Sequence, residues 1–134
     1  MNTLLKSATI INPSSAYHQQ QKDILIIDGI ITKIADKITP NDKDTVVALK
    51  NLHVSMGWFD TSVSFGEPGF EERETLKNGL NVAAKSGFTA VAINANTNPV
   101  IDNKSAVEFL INKSSGFATK LYPIGALTQE SKGI

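Results

Sequence analysis

The sequence contains no cysteine, which excludes a disulfide framework and any metal site built from thiolates. It has no excess of charge of either sign, because its 13 basic and 13 acidic residues cancel when both histidines are neutral. This balance argues against binding to nucleic acid or to a membrane surface, which usually requires a basic excess. No apolar run approaches the ~20 residues that a helix needs to cross a bilayer. The 134 residues, 41% of them hydrophobic, instead fit a globular protein with a core of its own.

Three recognition signals are also missing. The segment Met1–Lys6 lacks the basic stretch, apolar stretch and cleavage site of a secretory signal, so we expect a cytoplasmic location. The Gly-x-Gly-x-x-Gly fingerprint of dinucleotide sites is absent, and so is the phosphate-binding loop that ends in Gly-Lys-Ser/Thr.

Residues 1–56 are predicted to form a β-rich portion without chemistry of its own. A Leu4–Ile11 strand is followed by a hairpin, in which Asp28-Gly29 joins strands over Asp23–Ile27 and Ile30–Ala35. Two more short strands are predicted over Val46–Leu49 and Leu52–Val54.

Residues 57–134 are predicted to alternate strand and helix. The predicted strands are Trp58–Phe65, Phe88–Ile93 and Leu121–Leu127, and the predicted helices are Glu71–Ser86 and Lys104–Lys113. This βαβαβ order implies a parallel sheet with right-handed crossovers, in either a doubly wound fold or a barrel. Because a complete eight-fold barrel needs about 250 residues, the chain would hold only the opening portion of one.

Several side chains in this half are assigned structural roles. Asp102-Asn103 is interpreted as helix capping, with Asn103 as the N-cap of the second helix. Trp58 and Phe59 are predicted to be core or interface aromatics. The inward residues of the second helix are predicted to be Val107, Leu110 and Ile111.

The remaining polar residues are interpreted in the same way. Glu67, Glu71, Glu72 and Glu74 are predicted to favour a helix N-terminus through its dipole and to face solvent. His18 and His53 are interpreted as surface or packing residues, because a metal site needs several converging donors. Asn94, Asn96 and Asn98 suit either a pocket lining or side-chain turns, and for Asn96 both interpretations stay open.

Several ordered blocks of the second half carry a family resemblance. The first block is Gly57-Trp58-Phe59-Asp60-Thr61-Ser62-Val63-Ser64-Phe65-Gly66-Glu67-Pro68-Gly69. It is followed by Glu71-Glu72-Arg73-Glu74-Thr75, by Ala83-Ala84-Lys85-Ser86-Gly87-Phe88-Thr89 and by Ala95-Asn96-Thr97-Asn98-Pro99. In this order and spacing the blocks resemble the dihydroorotases of the amidohydrolase superfamily. Those enzymes begin with a β-sandwich portion and enter a metal-bearing (β/α)8 barrel through Gly-Phe/Ile-Asp-x-His-x-His-x-Arg-Glu-Pro-Gly.

The resemblance therefore implies an α/β fold in which residues 1–56 form the N-terminal β-sandwich portion. Residues 57–134 would form the first βαβαβ units of an incomplete TIM-type barrel. It also implies zinc as the family's metal. The remaining ligands of the family belong to later barrel strands, which this sequence does not contain.

The departures from the family pattern bear on activity. Ser62 and Ser64 occupy the places of the two metal-binding histidines, and Gly66 occupies the place of an arginine that grips the substrate carboxylate. Asn96 is retained where the family uses an asparagine to hold substrate. A neutral hydroxyl is a poor zinc ligand, so we expect no metal, no cofactor and no catalytic residue in this chain.

Three functions are compatible with these residues. The preferred hypothesis is a catalytically silent dihydroorotase-like polypeptide, either a degenerate homologue or a leading fragment. Silent members of the family act as structural partners of aspartate carbamoyltransferase in pyrimidine biosynthesis, so the resemblance makes that role available. The alternative is part of an active zinc-dependent cyclic amidohydrolase whose other ligands lie on a longer parent chain. A third possibility is an interaction module built on residues 1–56.

The predicted sheet also bears on partners. Three parallel strands leave open edges, so self-association or pairing with another protein chain is expected.

Overall fold

A computed structural model describes residues 1–133 of the chain. The chain divides into two compact units, Met1–Met56 and Gly57–Ile134. Each unit has its own sheet and its own cluster of buried apolar side chains. None of the helices in residues 1–133 combines the length and apolar character that crossing a membrane requires.

The first unit is a five-stranded sheet. Its strands are β1 (Asn2–Ile11), β2 (Gln21–Ile27), β3 (Ile30–Ala35), β4 (Asp44–Val47) and β5 (His53–Ser55). Strand β1 pairs antiparallel with β2 and parallel with both β4 and β5, while β2 pairs antiparallel with β3. The β-rich character predicted for this half is confirmed.

The hairpin between β2 and β3 forms at the predicted residues. Ile27 pairs with Ile30 across the turn, and Asp28 and Gly29 both have positive φ, at 49° and 81°. Two successive residues with positive φ match the right-handed twist of the flanking strands, which is why Asp-Gly is favoured there.

The second unit has the predicted alternation of strands and helices. It contains β6 (Trp58–Val63), α1 (Leu76–Lys85), β7 (Phe88–Ile93), α2 (Lys104–Lys113) and β8 (Lys120–Pro123), followed by a 3₁₀ turn over Gln129–Ser131. The three strands form a parallel sheet in the order β6-β7-β8. The mixed α/β class and the parallel βαβαβ order are confirmed.

The core of this unit lies between one face of the sheet and the two helices. Its buried members include apolar side chains from α1, β7, α2 and β8, and two from the loops after β6 and β7: Leu76, Leu80, Val91, Ile93, Leu110, Leu121, Phe65 and Ile101. The predicted inward positions Val107 and Leu110 belong to this core, but Ile111 is 49% exposed. A helix turns by 100° per residue, so Ile111 lies too far around α2 to share the face of Leu110.

The first helix is shorter than predicted. It begins at Leu76 rather than Glu71, because Thr75 adopts an extended backbone and its side chain accepts a hydrogen bond from the Asn78 amide at 3.2 Å. Glu71, Glu72 and Glu74 therefore precede the helix instead of occupying its first turn.

The aromatic residues of β6 are less buried than predicted. Trp58 is 64% exposed and Phe59 is 54% exposed. Phe59 pairs with Ala90 of β7, which alternates with the buried Val91, so Phe59 lies on the sheet face opposite the helices. The final strand is also shorter than predicted and ends at Pro123 rather than Leu127.

Candidate functional site

The carboxyl ends of β6, β7 and β8 meet at one edge of the parallel sheet. The Asn94 amide donates to the Val63 carbonyl at 2.8 Å, and the Ile124 amide donates to the Ile93 carbonyl at 2.9 Å. These bonds hold the segments that leave the three strands side by side. Sites in parallel α/β proteins occur at this edge, because the loops after successive strands converge there.

Two serines and two asparagines form a hydrogen-bonded group at this edge, which we call the Ser–Asn cluster (Ser62, Ser64, Asn94 and Asn96). The Asn94 Nδ2 donates to the Oγ of Ser62 at 3.2 Å and to the Oγ of Ser64 at 3.3 Å. The Asn96 Nδ2 donates to the Oγ of Ser64 at 3.0 Å. The structure thus brings together Ser62, Ser64 and Asn96, which the sequence singled out, and adds Asn94 as the residue that links both serines.

A bulge in β6 determines which way the side chains of Ser62 and Ser64 point. Asp60 pairs with Val91 and Val63 pairs with Ile93, so three steps along β6 match two steps along β7. An extra residue of this kind reverses the alternation of side chains. As a result Asp60 lies over the cavity beside α1, whereas Ser62 and Ser64 contact the asparagines.

The loop after β6 closes tightly around Gly66. Gly66 has a φ of 106°, and its carbonyl accepts a hydrogen bond from the Phe70 amide at 3.0 Å. A Cβ at this position would lie 2.5 Å from the Phe70 carbonyl oxygen. The local backbone therefore has no room for a side chain at this position, where the resemblance implies an arginine in the family.

Glu67 differs from its predicted place in solvent. Its side chain is 7% exposed, and its Oε2 accepts a hydrogen bond from the Leu76 amide at 2.7 Å. Its Oε1 is paired with the Lys113 Nζ. Glu67 does contact a helix N-terminus as predicted, namely that of α1. Its burial against Lys113 was not predicted, because the sequence does not show that α2 ends beside this loop.

The other predicted polar residues have local roles. Asn103 caps α2 as predicted, by accepting a hydrogen bond from the Ala106 amide at 3.0 Å. Asp102 does not cap the helix. Its Oδ2 accepts from the Glu130 amide at 2.9 Å and its Oδ1 accepts from Asn103, and the bond from Glu130 lowers the pKa of Asp102 below its ordinary value. Asp102 thereby ties the segment after β8 to the start of α2.

Both histidines belong to the first unit and contact backbone atoms. His18 Nδ1 accepts a hydrogen bond from the Asn12 amide at 3.2 Å. His53 Nδ1 lies 2.7 Å from the Asn51 carbonyl oxygen, to which a protonated nitrogen donates.

A cavity of about 360 Å³ adjoins the Ser–Asn cluster on the helix side of β6. Its walls come from β6, β7 and α1 and are mainly apolar, and Ser64 borders both the cavity and the cluster. The polar groups that line it are Asp60, Ser64, Glu74 and Ser86. The cavity thus carries two carboxylates, and no basic side chain is among the described residues that line it.

The Ser–Asn cluster does not match the ligands that zinc requires. Zinc in proteins is held by thiolate, imidazole or carboxylate donors, whereas this edge presents neutral hydroxyls and amides. An amide nitrogen that donates hydrogen bonds offers no lone pair to a metal. Within residues 1–133, no three His, Cys, Asp or Glu side chains are grouped closely enough to hold a metal ion.

The fold of the chain is similar to that of hydantoinase and dihydroorotase structures. It matches an L-hydantoinase (dihydropyrimidinase) from Arthrobacter aurescens with a TM-score of 0.78 and 16% identity, over 92% of this chain and 27% of that one. It also matches a dihydroorotase of known structure with a TM-score of 0.65 and 17% identity, over 96% of this chain and 32% of that one.

Sequence comparison identifies the family within this class. The family model described as dihydro-orotase-like matches residues 52–133, so the chain belongs to the dihydro-orotase-like family. A dihydroorotase of Pelotomaculum thermopropionicum is 38% identical over 135 residues, which cover 99% of this chain and 31% of the relative. The chain thus spans about a third of the length of the curated relatives it matches. The resemblance stated from the sequence blocks is confirmed.

Proposed function

We propose that this chain is the N-terminal region of a dihydroorotase-like protein that does not hydrolyse dihydroorotate and acts as a structural partner of another protein. Residues 1–56 correspond to the β-sandwich portion of the family, and residues 57–134 to the opening units of its (β/α)8 barrel. The Ser–Asn cluster carries this proposal. Asn94 and Asn96 donate to the serine oxygens at the strand end where the resemblance expects two histidines.

The chemistry of the reaction explains why these side chains are insufficient. Opening a cyclic amide near neutral pH requires a strong nucleophile made from water and stabilisation of the negative charge that develops on the carbonyl oxygen. In the family a metal ion supplies both. A serine hydroxyl bonded to an asparagine amide is neither a general base nor a zinc ligand. Its ordinary pKa is far above neutrality, and within residues 1–133 no imidazole is hydrogen-bonded to either serine.

Zinc content and turnover test the proposal directly. We expect purified protein to retain well under one zinc per chain after dialysis against zinc, measured by plasma mass spectrometry, and to show no dihydroorotate turnover above the rate without protein. Stoichiometric zinc together with steady turnover would contradict the proposal.

A matched pair of variants shows whether the cluster is the cause. Ser62→His/Ser64→His adds two imidazoles at the sheet edge, and we expect it to gain zinc or cobalt affinity of at least ~10-fold. Ser105→His/Ser115→His adds the same groups at exposed positions on and after α2 and serves as the control. Equal metal affinity in both variants would show that the sheet edge has no special geometry for a metal.

The partner follows from the resemblance and is tested separately. We propose aspartate carbamoyltransferase as the partner and a cytoplasmic location for the complex. Sedimentation of this chain with that enzyme is expected to give a joint boundary, and independent boundaries at micromolar concentrations would contradict the pairing.

An active hydrolase is the second candidate, because the chain spans about a third of its curated relatives. In that case further strands on a longer parent chain supply metal ligands that the Ser–Asn cluster lacks. Intact mass of the natural product separates the two candidates. A mass near 14.4 kDa leaves no room for those strands, whereas a mass about three times larger favours the active enzyme.

A further inference from the structure

We propose that Asn78 is a site of spontaneous deamidation that the first turn of α1 controls. The residue is protected while this turn is folded and reacts when the turn opens. The proposal does not depend on the function given above. It concerns a covalent modification whose isoaspartate product prevents the first turn of α1 from re-forming.

The pair Asn78-Gly79 has the sequence that favours this reaction. The backbone nitrogen of the following residue loses its proton to hydroxide and attacks the asparagine Cγ, the bond from Cγ to Nδ2 breaks, and ammonia leaves. Water then opens the resulting succinimide ring at either carbonyl, which gives aspartate or isoaspartate. Glycine is the most favourable following residue, because it has no side chain to hinder the attack. Of the asparagines in the sequence, only Asn78 is followed by glycine.

Packing requires the glycine at this position. Gly79 is buried in α1, and a Cβ there would lie 2.6 Å from a ring carbon of Phe65. Phe65 is 9% exposed and belongs to the core, so its ring has no free space into which to move. Although glycine lowers the stability of a helix, the core excludes a larger residue here. The reactive pair is thereby retained in the folded protein.

The folded first turn keeps the reacting atoms apart. The Gly79 amide donates to the Thr75 carbonyl at 2.9 Å, so it points along the helix axis rather than toward Cγ of Asn78. The Asn78 Nδ2 donates to both carboxylate oxygens of Glu74, at 3.1 Å each. These bonds hold the attacking nitrogen and the leaving nitrogen in place, so the reaction requires the turn to open.

Opening of this turn breaks few interactions. Thr75 Oγ1 accepts a hydrogen bond from the Asn78 amide at 3.2 Å, and Glu67 Oε2 accepts one from the Leu76 amide at 2.7 Å. The Asn78 side chain is exposed to water. Helix ends open locally more readily than core elements do. The rate of deamidation in the folded protein therefore reports the fraction of molecules in which the turn is open.

The products cannot reproduce the contacts of Asn78. A carboxylate at this position does not donate to Glu74 and adds a like charge beside it. Isoaspartate also adds one carbon to the main chain, which interrupts the regular hydrogen bonds of the helix. Glu74 and Gly79 line the cavity of about 360 Å³ beside β6, so the modification changes one wall of that cavity.

Peptide mass spectrometry of the whole protein, incubated at mildly alkaline pH with and without urea, measures the reaction. Asn81 is the internal control, because it is exposed on the same helix and is followed by Val82, whose branched side chain hinders the attack. We expect Asn78 to deamidate at least ~10-fold faster in urea than in the folded protein. In both states it should react faster than Asn81.

Two capping variants test whether local opening of α1 controls the rate. Thr75→Ala removes the cap of α1 and should accelerate deamidation of Asn78 in the folded protein by at least ~3-fold. Asn103→Ala removes the cap of α2 and should leave that rate unchanged. Amide NMR spectra show that each variant is folded.

The effect on α1 is measured on aged protein. The modified fraction of wild-type protein, separated by ion exchange, should unfold at a lower urea concentration than fresh protein. Asn78→Gln keeps a side-chain amide but would need a larger ring, so its aged sample should be unchanged.

Four outcomes would overturn the proposal. Three concern the rate: equal deamidation of Asn78 in folded and urea-unfolded protein, equal deamidation of Asn78 and Asn81, and equal acceleration by Thr75→Ala and Asn103→Ala. The fourth is an unchanged urea midpoint in the modified fraction.

Discussion

Asp60 and Ser62 are two positions apart on β6, but their side chains face different parts of the structure. Asp60 lines the cavity beside α1, whereas the Ser62 hydroxyl accepts a hydrogen bond from Asn94. Strict strand alternation would place both side chains on one face. The bulge between Asp60 and Val63 separates them and turns Ser62 and Ser64 toward the asparagines that follow β7.

Gly66 gives the first testable prediction. Gly66→Ala is expected to destabilise the protein by about 2 kcal/mol or more, because the added Cβ meets the Phe70 carbonyl oxygen at 2.5 Å and the positive φ is unfavourable for alanine. The measurement is the free energy of unfolding from urea titration.

Gly116→Ala is the matched control for that prediction. Gly116 also has a positive φ, at 85°, but nothing lies within 4 Å of its would-be Cβ. This variant should lose only about 1 kcal/mol, from backbone strain alone. Equal losses at both positions would show that the loop around Gly66 can relax and accept a side chain.

The ion pair between Glu67 and Lys113 gives the second prediction. Glu67 is 7% exposed, so removing Lys113 leaves a nearly buried carboxylate whose remaining hydrogen-bond partner, in the part of the chain that the structure describes, is the Leu76 amide. A double-mutant cycle of Glu67→Gln and Lys113→Met is expected to yield a coupling energy of about 1–2 kcal/mol in urea unfolding.

The exposed pair Lys104 and Glu108 is the control for this cycle. Its side chains are 86% and 57% exposed and lie one helical turn apart on α2. Exposed pairs of this kind contribute about 0.3–0.5 kcal/mol. A coupling at Glu67 and Lys113 no larger than that value would mean that burial adds nothing to their interaction.

The local elements of the fold could be predicted because their signals are local. The Asp28-Gly29 turn, the Phe88–Ile93 strand and the Asn103 cap of α2 all form where the sequence indicates them. The start of α1 was misplaced by five residues because acidic residues are favourable both just before a helix and within its first turn. What distinguishes the two positions is the hydrogen bond that the Thr75 side chain accepts from the Asn78 amide.

The candidate site could be predicted only in part. The sequence singled out Ser62, Ser64 and Asn96, but the linking role of Asn94 depends on how β6 and β7 pair in space. The burial of Glu67 likewise depends on Lys113, which is 46 positions away along the chain. Such long-range pairs have no local pattern, so sequence periodicity does not reveal them.

The lowered pKa of Asp23 predicts that the stability of the first unit depends on pH. Burial alone would raise its pKa, but hydrogen bonds from Lys6 and from the Ser7 and Ile38 amides outweigh burial and hold the pKa below its ordinary value. A carboxyl group with a lowered pKa in the folded state stabilises the fold at pH values above its unfolded pKa, about 3.9, and this contribution is lost as the pH falls through the lower folded pKa.

The variant Asp23→Asn tests this linkage. Wild-type protein should lose stability as the pH falls from about 5 toward 2, and the variant should lose measurably less over the same range. Urea unfolding at several pH values gives both slopes. Parallel slopes for the two proteins would show that Asp23 does not contribute to acid sensitivity.

The edges of the second sheet predict self-association. Among the described residues β6 and β8 each pair only with β7, so each has one unpaired side, and the adjoining face exposes Phe59 and Tyr122. We expect size-exclusion chromatography with light scattering to give a mass above that of one chain, rising with concentration.

Tyr122→Glu should shift the protein toward monomer by placing a charge on this face. Phe109→Glu changes a residue of similar exposure on α2, 48% against 44%, and should leave the mass distribution unchanged. Equal shifts in both variants would contradict association through this face. A wild-type protein that is still monomeric at ~1 mM would also contradict it, because a dimer with a Kd above ~1 mM has a binding free energy of less than ~4 kcal/mol.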